Sequence, residues 1–165
     1  MKALPTIVLK TLCGLVLCVA LFGCERWTLD KQMEELCAKD GGIKVYETVT
    51  LPASDFSNVG QPLARYERNA KSREEIFGPD YRYLAEEKYI VGDRQTKVEH
   101  GAGTLARTRT SIYRRADNKL LGERIFYQRG GGDGFVWGRL GLHPSGNNCP
   151  MSTTGVDLQI FIKGE

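Results

Sequence analysis

Histidine is scarce, with His100 and His143 the only two in 165 residues. Neither sits in an H-E-x-x-H or comparable metal-binding spacing, and a lone imidazole carries no catalytic geometry. There is no G-x-S-x-G elbow. The glycine run Gly130-Gly131-Gly132-Asp133-Gly134 lacks the lysine and hydroxyl residue of a phosphate-binding loop. Paired acids are badly placed: on a strand, Glu86 and Glu87 point to opposite faces and cannot act together on one substrate. No catalytic residue and no metal site are therefore expected. Long apolar runs are missing too, since the stretch Thr11–Phe22 is too short to span a bilayer as a permanent helix.

What is present begins with that stretch. Lys2 and Lys10 precede it and Leu21-Phe22-Gly23-Cys24 closes it, which reads as a secretory signal. A cysteine stands where cleavage would leave the new N-terminus. This resembles the lipobox of bacterial lipoproteins, whose cysteine is acylated and becomes the first residue of the mature protein. Leu21, Gly23 and Cys24 carry the likeness, while Phe22 is bulkier than the usual small residue. The resemblance implies a removed signal peptide over 1–23, lipid on Cys24 and one periplasmic domain over 24–165. The covalent lipid replaces any cofactor. The alternative is an ordinary signal with an incidental cysteine.

Charge of one sign is also lacking once residues 1–23 are set aside. Lys2 and Lys10 leave with them, so 23 basic residues become 21 against 20 acidic ones. A near-neutral exported domain has no electrostatic reason to hold nucleic acid. Of five cysteines, Cys13 and Cys18 leave with the signal and Cys24 takes lipid. Cys37 and Cys149 remain, and an oxidising periplasm favours joining them across a loop of about 113 residues. A catalytic pairing of Cys149 with His143 is the sharper alternative, without supporting geometry.

Periodicity places a helix over 25–40, with Leu29, Met33 and Leu36 or Cys37 on its apolar stripe. Asp30, Lys31, Glu34, Glu35 and Lys39 fill the other faces, Gly41-Gly42 ends it, and a few residues tether it to Cys24. Alternation predicts strands over Ile43–Leu51, Tyr81–Val91 and Val156–Lys163. Leu105–Arg115 and Lys119–Gln128 form a hairpin about Asp117-Asn118, with a turn of two or three residues. Residues 53–80 make a long excursion, with a short helix near Ser72–Phe77. Glycine density makes Arg129–Pro150 a loop. The fold class is α+β, an N-terminal helix on an antiparallel sheet of about five strands with one disulfide.

Two features are candidate binding surfaces. Arg107, Arg109 and Arg115 share a strand face with Tyr113, and Arg124 follows on the partner strand; arginines over aromatic rings suit anionic or carbohydrate-like surfaces. The competing reading is a solvated face balanced by Glu123 and other acids. Phe135-Val136-Trp137 and Leu140-Gly141-Leu142 place apolar groups in the glycine-rich stretch, as a cover for the core or as an anchor for a partner or lipid headgroups. Trp27 suits the headgroup zone.

The whole chain resembles a group of small lipoproteins of Gram-negative bacteria. The likeness rests on the lipobox, on Leu36-Cys37-Ala38-Lys39-Asp40-Gly41-Gly42 running into Val45-Tyr46-Glu47-Thr48-Val49, on the hairpin from Arg114-Arg115-Ala116-Asp117-Asn118 to Lys119-Leu120-Leu121-Gly122-Glu123, and on Cys149-Pro150. It implies an envelope location and no reaction. Glu25 after Cys24, where aspartate would signal inner-membrane retention, favours the outer membrane. The expected role is a non-enzymatic lipoprotein that binds or supports an envelope protein or cell-wall partner. The alternative is a periplasmic inhibitor or immunity-type protein against a hydrolase or toxin.

Overall fold

Leu29, Met33 and Cys37 recur every four residues, the spacing that gathers side chains on one helix face, and all three are buried. In the computed structural model, which describes residues 24–57, 60, 62, 77–98, 101–133, 145–151 and 154–164, they line helix α1 (Cys24–Asp40). The stop falls where glycine predicts it: the Gly41 N–H donates to the Cys37 carbonyl at 2.8 Å, and Gly42 takes φ +118°. Within the described residues the helix already includes Cys24.

The chain continues through β1 (Gly42–Val45), β2 (Val49–Leu51), β3 (Tyr81–Val91), β4 (Gly103–Arg114), β5 (Lys119–Gly131), β6 (Gly146–Cys149), a helical turn α2 (Asp157–Ile160) and β7 (Phe161–Lys163). Among the described residues five strands form one antiparallel sheet in the order β1-β5-β4-β3, with β6 also on β5. β1 and β6 share one edge of β5, the first against residues 122–125 and the second against 127–130. α1 packs on this sheet and the Cys37–Cys149 disulfide ties it to β6, Cα to Cα 5.9 Å. The fold is α+β, as expected.

Four expectations need correction. The strand predicted over Ile43–Leu51 is two strands, because the Tyr46 and Glu47 N–H groups both donate to the Leu121 carbonyl and turn the chain off the sheet edge. β2 then pairs in parallel with β7. The strand predicted over Val156–Lys163 begins as a helical turn. Val156 and Ile160 are buried four residues apart while Leu158 and Ile162 are exposed, a period that alternation alone does not separate. The hairpin turn has four residues, 115–118, between the paired Arg114 and Lys119, with Asn118 at φ +54°. The glycine-rich stretch is strand at both ends, in β5 and β6. The helix predicted near Ser72–Phe77 lies, but for Phe77, outside the described residues.

Glycine lets α1 approach the sheet closely at the start of β4 and just past β5. A Cβ on Gly103 would collide with the Leu29 side chain, and one on Gly132 would press on the Arg26 backbone at 3.3 Å. Gly131, paired with Gly103, takes φ +68°. These bare positions seat the first turns of the helix against the sheet backbone.

Two cores form on opposite faces of the sheet. One holds Leu29, Met33, Cys37, Leu105, Ile125 and Tyr127; the other holds Phe56, Ile112, Leu121, Val156, Ile160 and Phe161. Leu105 and Ile112 lie seven residues apart on β4 and so point to opposite faces. Leu121 would follow Glu123 and Ile125 toward α1, but the register shifts there and Leu121 is the unpaired residue of a bulge. The bulge turns it into the second core. Beside it Gly122 makes room for Ile160, whose Cδ1 lies 2.8 Å from where a Cβ would stand.

Candidate functional site

Alternation along β4 keeps Arg107, Arg109 and Tyr113 on the α1 side of the sheet. Arg124 pairs with Thr110 and therefore falls on the other side, its guanidinium 4.8 Å above the Phe126 ring. Arg115 lies in the turn, where its N–H donates to the Asp80 carbonyl at 2.8 Å and its Nε to that of Tyr81 at 3.3 Å. The five residues do not make one surface, because a register pairing and a longer turn separate Arg124 and Arg115 from the rest. Phe135 and Trp137 lie outside the described residues.

The three that stay together are engaged. Arg107 donates from Nε and Nη2 to Asp40 at 3.2 and 2.8 Å, and the Tyr127 hydroxyl donates to the same carboxylate at 2.6 Å. Arg109 donates to Glu123 at 2.6 Å, with Glu86 at 3.7 Å, and the Tyr46 hydroxyl reaches Glu123 at 2.8 Å. Tyr113 lies under Arg82, 5.0 Å from ring to guanidinium. Each of these two arginines thus faces a carboxylate of the same chain, which leaves little net charge to attract an anion.

Burial pushes the Asp40 carboxyl up, but the bonds from Tyr127 and Arg107 outweigh it and hold it below the usual aspartate range. Glu123 is balanced the same way, with Tyr46 and Arg109 prevailing over burial. Asp133 is lowered too, burial being outweighed by bonds from Ser145. A carboxylate with a depressed folded pKa adds stability that is complete above its unfolded value and is lost as pH falls through the folded one. The melting temperature is expected to stay level from pH 7 to about 5 and to fall below about 4.5. A thermal melt series checks this, and a rise on acidification would contradict it.

A buried polar ring fastens the far end of α1. The Arg129 side chain, 1% exposed, donates from Nε to Asp30 at 2.6 Å and from Nη1 to the Gly131 and Ser145 carbonyls at 2.5 and 3.1 Å. Ser145 in turn donates to Asp133 from N and Oγ at 2.7 and 2.6 Å, and Arg26 pairs with Asp133 at 3.3 Å. Neither Arg129 nor Asp30 stands out in the sequence, where Asp30 reads as a solvated residue. The signal was there: Ile125, Tyr127 and Arg129 continue one alternating row toward α1, and an inward arginine requires an acid.

A third constellation was not anticipated at all. β2, β7, the 3₁₀ turn Ala53–Asp55 and the segment leading into β3 enclose an open cleft of about 130 Å³. Leu51, Phe77, Tyr81 and Phe161 supply its apolar lining, and Asp55 and Asp80 its carboxylates. The rings brace one another, Tyr81 edge-on to Phe161 at 4.9 Å and Phe77 to Phe161 at 5.3 Å. No family model, no curated protein and no solved structure matches this chain. Functional conclusions therefore stand on geometry and chemistry. Among the described residues no three His, Cys, Asp or Glu side chains gather to hold a metal ion, and no helix is long and apolar enough to cross a membrane.

Proposed function

We propose that the chain is a membrane-anchored envelope lipoprotein with a non-enzymatic role, its domain facing the periplasm and binding or supporting another envelope component. The observation that carries this is the seating on the sheet of the helix turn that follows Cys24. α1 spans Cys24–Asp40, the Glu25 carboxylate accepts the Gly103 N–H at 3.2 Å, Arg26 pairs with Asp133, and Leu29 is buried. Acyl chains on Cys24 would therefore hold the whole domain flush with the bilayer in one orientation. Trp27, 69% exposed on the first turn, is placed to enter the headgroup zone. The disulfide is in keeping with an oxidising compartment.

Each buried methylene of an acyl chain contributes about 0.8 kcal/mol, so two or three chains make release negligible. Cys24→Ala is expected to move the protein from washed membranes to the soluble periplasmic fraction. Its intact mass should lack the fatty increment of the natural protein. Persistence of the variant in membranes, or a natural protein without that increment, would overturn the anchor.

A further inference from the structure

We propose that the cleft between β2, β7 and the start of β3 binds a primary alkylammonium group on an unbranched stem. The inference stands on the cleft alone and does not depend on lipid at Cys24.

Size, lining and charge agree on that ligand. About 130 Å³ is close to the roughly 150 Å³ of a cavity that holds benzene, so the space admits five or six non-hydrogen atoms. Leu51, Phe77, Tyr81 and Phe161 offer apolar and aromatic surface for a stem of about four carbons, and ring faces attract a cation. Asp55 and Asp80 line the same space, and neither is ion-paired with any described residue. Arg114 is engaged by Glu47 and Asp117, Lys119 by Glu47, and Arg115 by the Tyr81 carbonyl, while Lys163, opposite Leu51 on β7, forms no ion pair with either aspartate. A plain packing defect would be enclosed and apolar. This space is open and carries two carboxylates without a partner cation among the described residues, the complement of a cation on a hydrocarbon stem.

The test uses the full mature protein in detergent and follows the ring resonances of Phe77, Tyr81 and Phe161 by NMR. n-Butylammonium should shift them saturably with an apparent Kd of about 1–10 mM, the range for so few atoms. 1-Butanol, of equal length but neutral, should bind about tenfold more weakly, and Asp55→Asn with Asp80→Asn should bring the ammonium down to the butanol level. Unchanged sheet amide resonances will show that the variant is folded. Nα-acetyl-lysine methylamide binding more tightly than butylammonium marks a lysine side chain as the source; weaker binding marks a free amine, and either supports the site. Equal binding of butanol and butylammonium, no saturation, or full ammonium binding by the double variant would overturn the proposal. The butanol comparison needs no variant at all.

Discussion

Replacing Cys37 and Cys149 together by alanine should lower the unfolding free energy by about 4 kcal/mol, the chain-entropy value for a loop of this length less some native strain. The two residues are 112 apart, so the bridge removes a large share of the unfolded chain's freedom. In a domain of this size such a loss lowers the melting temperature by roughly 10–15 °C. The reason for a large effect is also local. β6 is four residues long and holds on β5 through one edge, and Cys37 belongs to the same buried cluster as Leu29, Met33 and Tyr127. Chemical denaturation of the double variant beside the oxidised and reduced natural protein measures it. A change under about 1 kcal/mol would mean that the cores alone hold α1 to the sheet.

Asp30→Ala is the second large effect expected. It leaves the Arg129 guanidinium buried without its 2.6 Å carboxylate partner, a situation that costs about 3–5 kcal/mol in general. The low end applies here, because Asp133 remains in the same ring and the Gly131 and Ser145 carbonyls still accept from Nη1. Arg129→Met removes the charge along with the need for a partner. Adding Asp30→Ala to it should therefore cost much less than Asp30→Ala costs alone. A double-mutant cycle with a coupling of more than about 1 kcal/mol confirms the pairing, and additive losses would refute it.

Both effects concern residues that differ greatly in how plainly they can be read. The cysteine pair is read by elimination, because the expected signal peptide and lipid anchor would leave only two thiols to join. α1 is equally plain, since three buried residues at one spacing and two glycines mark its face and its end. The β4–β5 hairpin follows from its turn residues, although its four-residue turn and the bulge at Leu121 do not. Arg129 and Asp30 are another matter. They are 99 residues apart, so alternation turns Arg129 inward without naming its acid, and Asp30 reads locally as the i+4 partner of Arg26. The arginine face shows the same limit: Asp40, which holds Arg107, is 67 residues away. Charges so far apart along the chain cannot be matched before the strands are laid side by side.

The cleft illustrates this in a second way. Its aromatic residues come from the segment leading into β3, from the start of β3 and from β7, and one of its acids from the 3₁₀ turn after β2. Each is unremarkable where it stands in the chain. They meet only because β2 pairs in parallel with β7, a contact between segments separated by almost the whole domain.

Local order therefore came from the amino-acid sequence by itself: the helix stripe, the long strands and the hairpin, all set by neighbours a few residues apart, with the thiol pair read from cysteine count rather than from spacing. Tertiary structure alone decided the fate of two short alternating stretches, the use of glycine as a seat for α1, the partners of the arginines and the existence of the cleft. The physical reason is that alternation and glycine content are each compatible with more than one backbone path, and the choice rests on contacts made across the sheet after the chain has folded back on itself.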